Sequence, residues 1–473
     1  MRQSSELKQQ INKVWKLSIP AILTQIATII MQYIDSAMVG SLGANASASI
    51  GLVSTSIWLF SGITTAVAIG FSVQIAHNIG AGQDNNARNV LRHGLIFSLV
   101  ISLVLMIICI LLSKPLPMIL RANESIWTDA TLYFLVFAIS LPFVQLNNIT
   151  ALSLQCSGNM IAPSVLNAIM CLFDVVFNAI FIPKYGVFGA GIGTALATAV
   201  VALIMFYICC FRSKKLNILI KDHMLYNKLI IKKAIRIGLP VAVEQAARSA
   251  AMIVSTGLVA PLGNIAIAAN SFAVTAESIC YMPGFGVSSA ATTIVGQEMG
   301  EGNHKNAKRY GNITIAFGTI LMTITAILMF IICPLIFRFM TPDEEVRHLA
   351  ITVLRIGMFA EPLYGASIVA SGALRGAEDT LVPSIMNLAC IWIVRITLSI
   401  ILVKPLGLVG IWIANSVELC MRGTILLIRQ FMSKHYYKKN IVQWLNHCTF
   451  SLFYFNILKI IKLINGQNLL FLL

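Results

Sequence analysis

The stretch Gly94-Leu-Ile-Phe-Ser-Leu-Val-Ile-Ser-Leu-Val-Leu-Met-Ile-Ile-Cys-Ile-Leu-Leu-Ser113 carries no charged side chain and is bounded by Arg92 and His93 on one side and Lys114 on the other. Twenty residues of helix rise about 30 Å, the thickness of a bilayer's hydrocarbon core. Comparable runs recur along the chain, and twelve spans are expected, at about residues 17–39, 50–79, 93–113, 128–156, 162–183, 188–211, 237–260, 264–298, 312–336, 348–374, 382–403 and 406–430. The whole sequence agrees: 58% of its 473 residues are hydrophobic and 11% charged, too apolar a mixture for a core surrounded by water.

The net charge of +16 does not point to a nucleic acid, because the basic residues sit in the short segments between spans. With the N-terminus placed in the cytosol, 21 Lys and Arg residues fall on the inside, eight of them between Arg212 and Arg236, and 6 on the outside. That is the positive-inside bias, and an even number of spans returns the C-terminus to the cytosol. The ten cysteines, Cys109, Cys171 and Cys280 among them, lie almost wholly in apolar spans without metal-type spacing, so free thiols are expected. The first apolar run is too long for a signal peptide's core.

The chain repeats itself. A shift of 220 residues superposes Pro20 on Pro240, Pro142 on Pro362 and Pro163 on Pro383, and pairs Gly43 with Gly263, Gly80 with Gly300, Gly82 with Gly302 and Asn167 with Asn387. Each half holds six spans, so both halves enter from the same side and are related by an axis along the membrane normal. The expected fold is all-α: twelve transmembrane helices in two six-helix lobes, residues 1–211 and 237–432. A basic cytosolic linker, 212–236, joins them, and a tail, 433–473, follows. The tail's apolar, Lys-punctuated composition suits an interfacial helix, and no role is assigned to it.

Three passages carry a family likeness: Met31-Gln-Tyr-Ile-Asp-Ser-Ala-Met-Val-Gly40, Pro283-Gly-Phe-Gly-Val-Ser-Ser-Ala-Ala-Thr-Thr-Ile-Val-Gly-Gln297 and Ser371-Gly-Ala-Leu-Arg-Gly-Ala-Glu-Asp-Thr380. In order and spacing, from about Leu17 to Met432, the sequence resembles the multidrug and toxic compound extrusion family. The resemblance implies a multi-pass protein of a bacterial inner membrane that exports amphipathic, often cationic small molecules in exchange for Na⁺ or H⁺. No other cofactor is expected, and a complete two-lobed chain is expected to be able to work alone.

Carboxylates at bilayer depth mark candidate sites, because a buried charge there is costly. Asp35 lies about 18 residues, roughly 27 Å, into the first span, and so towards its outer end. It matches the family's first-helix Asp, which is linked to cation binding. Asp174 and Asn178, four apart, share one helix face, with Asn178 nearer the level of Asp35. The family's usual order here is Asn then Asp, and this chain reverses it. A carboxylate pair bridged by an amide or water could still share one cation. Thr194 resembles a hydroxyl of the same site. In the second half Glu244 resembles the seventh-helix Glu of a NorM-like Na⁺ site, with an ion pair to Arg248 as the competing reading. The expected tenth-helix Asp is replaced by Tyr364, with Glu361 one turn away, which leaves Glu244 and Glu361 as a second-lobe proton site. Glu277 and Tyr281 offer a charge and an aromatic face to a cationic substrate. Arg395 reads first as a structural partner of a carboxylate, and Glu418 with Arg422 as an internal pair.

Two other readings compete. A flippase for a lipid-linked precursor would need a cavity lined with Arg or Lys, and few cations lie within the spans. A membrane enzyme would need clustered catalytic groups, whereas His77, His93, His304 and His348 stand singly near span ends.

Overall fold

A computed structural model describes residues 2–120, 122–219 and 226–432. Helices α1 (Arg2–Gly40), α2 (Ala44–Gly80), α3 (Asp84–Ser113) and α4 (Trp127–Cys156) are followed by a helical stretch, Ile161–Tyr207, too long for one span. At Gly186 its backbone leaves the helical region, with φ 58° and ψ −131°, and the chain folds back on itself. It is therefore two helices, α5 (161–185) and α6 (187–207). The second half repeats the plan: α7 (Lys228–Val259), α8 (Asn264–Gly300), α9 (His304–Met340) and α10, a span broken into Glu344–Met358 and Glu361–Gly376 at an angle of 53°. The stretch from Leu381 to Met432 then reverses at Gly407, with φ 57° and ψ −134°, into α11 (381–406) and α12 (408–432). Twelve spans among the described residues thus make an all-α membrane protein.

The two reversals show where the repeat slips. Gly186 and Gly407 have the same backbone geometry but lie 221 residues apart, one more than the offset of the prolines upstream. Between those landmarks the residues Cys390–Ile396 form a π-helical segment, and the matching part of α5 is plain α-helix. A π-bulge is how a helix takes in one extra residue, so the insertion is absorbed there, around Arg395.

Because lipid tails are as apolar as leucine, helices in a bilayer are held by close packing and by polar ties. The seam between the lobes uses both, twice over. A methyl group on Gly80 would collide with the Gln297 carbonyl, and one on Gly300 with the His77 carbonyl. These contacts are each other's copies at the offset of 220. Polar ties cluster at the same end of the seam, where α1 begins. Gln297 Nε2 donates to the Cys156 carbonyl at 2.9 Å, and His77 Nε2 lies 2.7 Å from the Gly376 carbonyl. Lys13 pairs with Glu298 at 2.9 Å across the seam, and His77 Nδ1 lies 3.2 Å from Glu378, which pairs within the second half with Lys233 at 2.5 Å. Glu378 has a φ of +63°, where its first-lobe counterpart is Gly158 at +95°. Towards the other end the Tyr33 hydroxyl donates to the Thr275 carbonyl at 2.9 Å.

Two helices extend beyond the apolar spans: α7 starts at Lys228, inside the basic linker segment, capped by the Asn227 side chain, which accepts from the Leu229 N–H at 2.9 Å. The first helix begins at Arg2, so its polar start is helical and runs on into the span. Pro20 and Pro240 lie inside continuous helices. The tail, 433–473, lies outside the described residues.

Candidate functional site

The α5–α6 hairpin builds the first-lobe site. On α5 the four-residue spacing of Asp174 and Asn178 sets both on one face, and both side chains are buried. On α6 Gly189 and Gly193 let the returning helix close tightly. A methyl on Gly189 would strike the Phe181 carbonyl, and one on Gly193 the Asn178 amide oxygen. Asp35 arrives from α1. The Asn178 Nδ2 group donates to Asp35 Oδ1 at 2.9 Å and to Asp174 Oδ2 at 3.2 Å, so one amide bridges two carboxylates. Asp174 Oδ1 and Asn178 Oδ1 remain buried without a hydrogen-bond partner. Among the described residues no Lys or Arg forms an ion pair with either Asp. Thr194, next to Gly193, is half-buried and forms none of the bridging bonds. Tyr133 of α4 packs against Gly191 and stands within electrostatic reach of both carboxylates. Sequence reasoning missed it, because a lone Tyr in an apolar span carries no signal of its own.

The second lobe is arranged differently. Glu244 accepts from Ser384 Oγ and Asn387 Nδ2, both at 2.8 Å, and pairs with Arg248 at 3.3 Å. Its oxygens are thus already committed to groups of the protein, and neither Glu361 nor Tyr364 bonds to it. Glu361 is fully buried, with both oxygens unpartnered. Tyr364 lies edge-on to Tyr281, with ring centroids 5.6 Å apart, beneath the Arg422 guanidinium at 5.1 Å. Tyr281 also meets Phe285 edge to face, at 6.1 Å between centroids, and stays partly exposed. Glu277 is buried with Oε1 unbonded, and Glu418 pairs with Arg422 at 3.0 Å. The nine cysteines among the described residues are free.

A twelve-helix chain made of two matching lobes, with buried carboxylates and close glycine packing at the seam, has the architecture of a secondary transporter. The sequence model of the MatE family matches residues 20–180 and again residues 240–401, with starts 220 and ends 221 residues apart, as the repeat and its slip require. The chain therefore belongs to the multidrug and toxic compound extrusion family. Among its relatives are a probable multidrug resistance protein NorM of Thermotoga maritima, 24% identical over 437 residues that cover 90% of this chain and 93% of that protein, and one of Pseudomonas aeruginosa, 28% identical over 430 residues and 86% of each. A solved transporter of the MOP superfamily from Pyrococcus furiosus shares the fold with a TM-score of 0.86 at 21% identity, covering 91% of this chain and 97% of that one. So does an outward-facing multidrug resistance MATE family transporter, with a TM-score of 0.86 at 20% identity and coverage of 91% and 97%. The protein is a multi-pass membrane efflux transporter, and its relatives' names favour neither the flippase nor the enzyme reading.

Proposed function

We propose that the protein exports amphipathic, often cationic small molecules in exchange for Na⁺ or H⁺, and that the ion is exchanged at Asp35, Asn178 and Asp174 in the first lobe. The observation that carries this reading is the single amide that bridges two carboxylates to which no Lys or Arg is paired. Two close carboxylates cannot both stay ionised cheaply in a medium of low dielectric. A proton on one of them, or an Na⁺ ion drawn to the free oxygens of Asp174 and Asn178 with the Thr194 hydroxyl nearby, removes that repulsion. The site thus has two electrostatic states, and whichever arrangement of the lobes suits the neutralised state is favoured when the ion binds.

Export requires a direction. The basic residues cluster at the end where α1 begins, which this reading places in the cytosol together with the C-terminus. The ties through Gln297, His77 and Lys13 then close the cytosolic side, and the drug leaves through the opposite one. Glu244 is left as an internal tie rather than an exchanging site.

The test is efflux of ethidium or norfloxacin from drug-sensitive cells, with Na⁺ and pH varied separately. Wild-type efflux should follow one of the two gradients and vanish in Asp35→Asn. Expressed, folded protein that exports neither compound under either gradient would refute the reading for this class of substrate.

A further inference from the structure

The two lobes descend from one sequence, yet the charges inside their spans occupy different places. At the offset of 220, the second-lobe residues Glu244, Arg248, Glu277 and Glu361 correspond to Thr24, Thr28, Ile57 and Leu141. At the offset of 221 that holds beyond the π segment, Glu418 and Arg422 correspond to Ala197 and Val201. The reverse comparison is as uneven. Asp35 corresponds to Ser255 and Asn178 to Ser399. Within the spans only one position is charged in both lobes, and there the sign is reversed: in the register of 221 that Gly186 and Gly407 share, Asp174 corresponds to Arg395.

The local structure fits that reversal. Arg395 lies within the π segment Cys390–Ile396, the one place where the second lobe holds an extra residue. Its Nε is buried without a hydrogen bond, and Glu277 and Glu418 lie within electrostatic range of it without forming an ion pair with it. The hydroxyls of Ser255 and Ser399, which stand where the first lobe has a carboxylate and its bridging amide, are buried and unbonded. In the first lobe, then, two acidic side chains face each other with no fixed positive charge between them. In the second, one of those acids is a hydroxyl and the other is a guanidinium, which is protonated at any pH the protein meets.

Building on the coupling reading above, we propose that Arg395 is the permanent counter-cation of the second lobe, standing where a coupling ion would otherwise bind, so that ion exchange is confined to the first lobe. Arg395 is a positioning residue in this scheme: it holds Glu277 and Glu418 without exchange and touches neither drug nor coupling ion. Taking the guanidinium away leaves those carboxylates short of one positive charge, and the coupling ion itself is the available replacement.

The experiment measures drug export from proteoliposomes of the full chain as a function of the coupling ion, Na⁺ or H⁺, in the wild type, Arg395→Gln, Arg395→Lys and Glu361→Gln. The wild type should respond with a Hill coefficient of about 1, Arg395→Gln should raise it towards about 2, and Arg395→Lys should restore it. A merely structural arginine would lower yield or rate without changing the slope. An active Arg395→Gln protein whose slope is unchanged overturns the proposal. Should Arg395→Gln fail to fold, the wild type decides: a slope of about 2 that Glu361→Gln lowers to about 1 places exchange in the second lobe and overturns the proposal, whereas a slope of about 1 that Glu361→Gln leaves alone supports it. Export that responds to neither ion removes the coupling reading and this inference with it.

Discussion

Replacing Gly193 by Ala adds a single methyl group at the most crowded point of the hairpin. The new Cβ would stand 3.0 Å from both the Asn178 Cγ and its backbone nitrogen, and closer still to the amide oxygen. Two responses are open. Rotating Asn178 away breaks its bonds to Asp35 and Asp174, each worth about 1.5–3 kcal/mol because the acceptor is charged. Moving α6 away instead costs about 1–3 kcal/mol of overpacking. That second route is obstructed, because Gly189, one turn earlier, is already pressed against the Phe181 carbonyl. Both responses separate the bridging amide from the returning helix. Gly193→Ala should therefore be recovered as folded protein, melt lower by the equivalent of about 1–3 kcal/mol, and lose at least about tenfold in gradient-driven efflux. Gly257→Ala is the control, since nothing stands within 4 Å of its added methyl. It should gain up to about 1 kcal/mol from helix propensity and keep full efflux. Thermal melts in detergent and export from proteoliposomes give both readouts. A Gly193→Ala protein with wild-type efflux and ion dependence would refute the claim that this contact holds the site.

The second lobe and the seam yield two further expected outcomes. Glu244→Gln leaves Arg248 without its counter-charge and sets an amide N–H₂ among donors, so it should destabilise by about 3 kcal/mol, the low end for a broken buried pair because Arg248 is partly exposed. Glu361→Gln replaces a buried carboxyl that has no bonded partner and should cost less; melts that rank the two variants the other way would contradict the assignment. Glu378→Gly keeps a backbone conformation that its counterpart Gly158 already adopts, while it deletes the ties to Lys233 and to His77 at 3.2 Å. Only the tie to His77 crosses the seam; worth up to about 1 kcal/mol, its loss should shift the balance of facing states up to about fivefold towards opening at that end, readable as labelling of cysteines introduced along the seam. Unchanged labelling would show that the tie does not latch it.

Whether a feature is legible in the sequence depends on whether the contacts that determine it are local. The spans are legible because each is a continuous apolar run, and the duplication because prolines and turn glycines keep their spacing. Asp174 and Asn178 are legible as one face from their four-residue separation. Asn178 as a bridge to Asp35 is only partly so, since the partner lies on another helix, 143 residues away in sequence. Glu244 can be paired with Arg248, one turn on, but not with Ser384 and Asn387, which reach it from α11. The likeness of Arg395 to Asp174 is hidden by a single inserted residue, which moves the register from 220 to 221 without any mark in composition. Tyr133 and the glycine contacts of the hairpin depend on how α4, α5 and α6 pack, which no motif encodes.

The central claim is that ion coupling resides in the amide-bridged carboxylates of the first lobe. It is tested most directly by imposing an Na⁺ or pH gradient on proteoliposomes that hold the wild type, Asp35→Asn or Asp174→Asn, and following export of a fluorescent cationic drug. The account predicts that the gradient accelerates export by the wild type alone, while both variants still bind the drug. Gradient-driven export retained by either variant would contradict it.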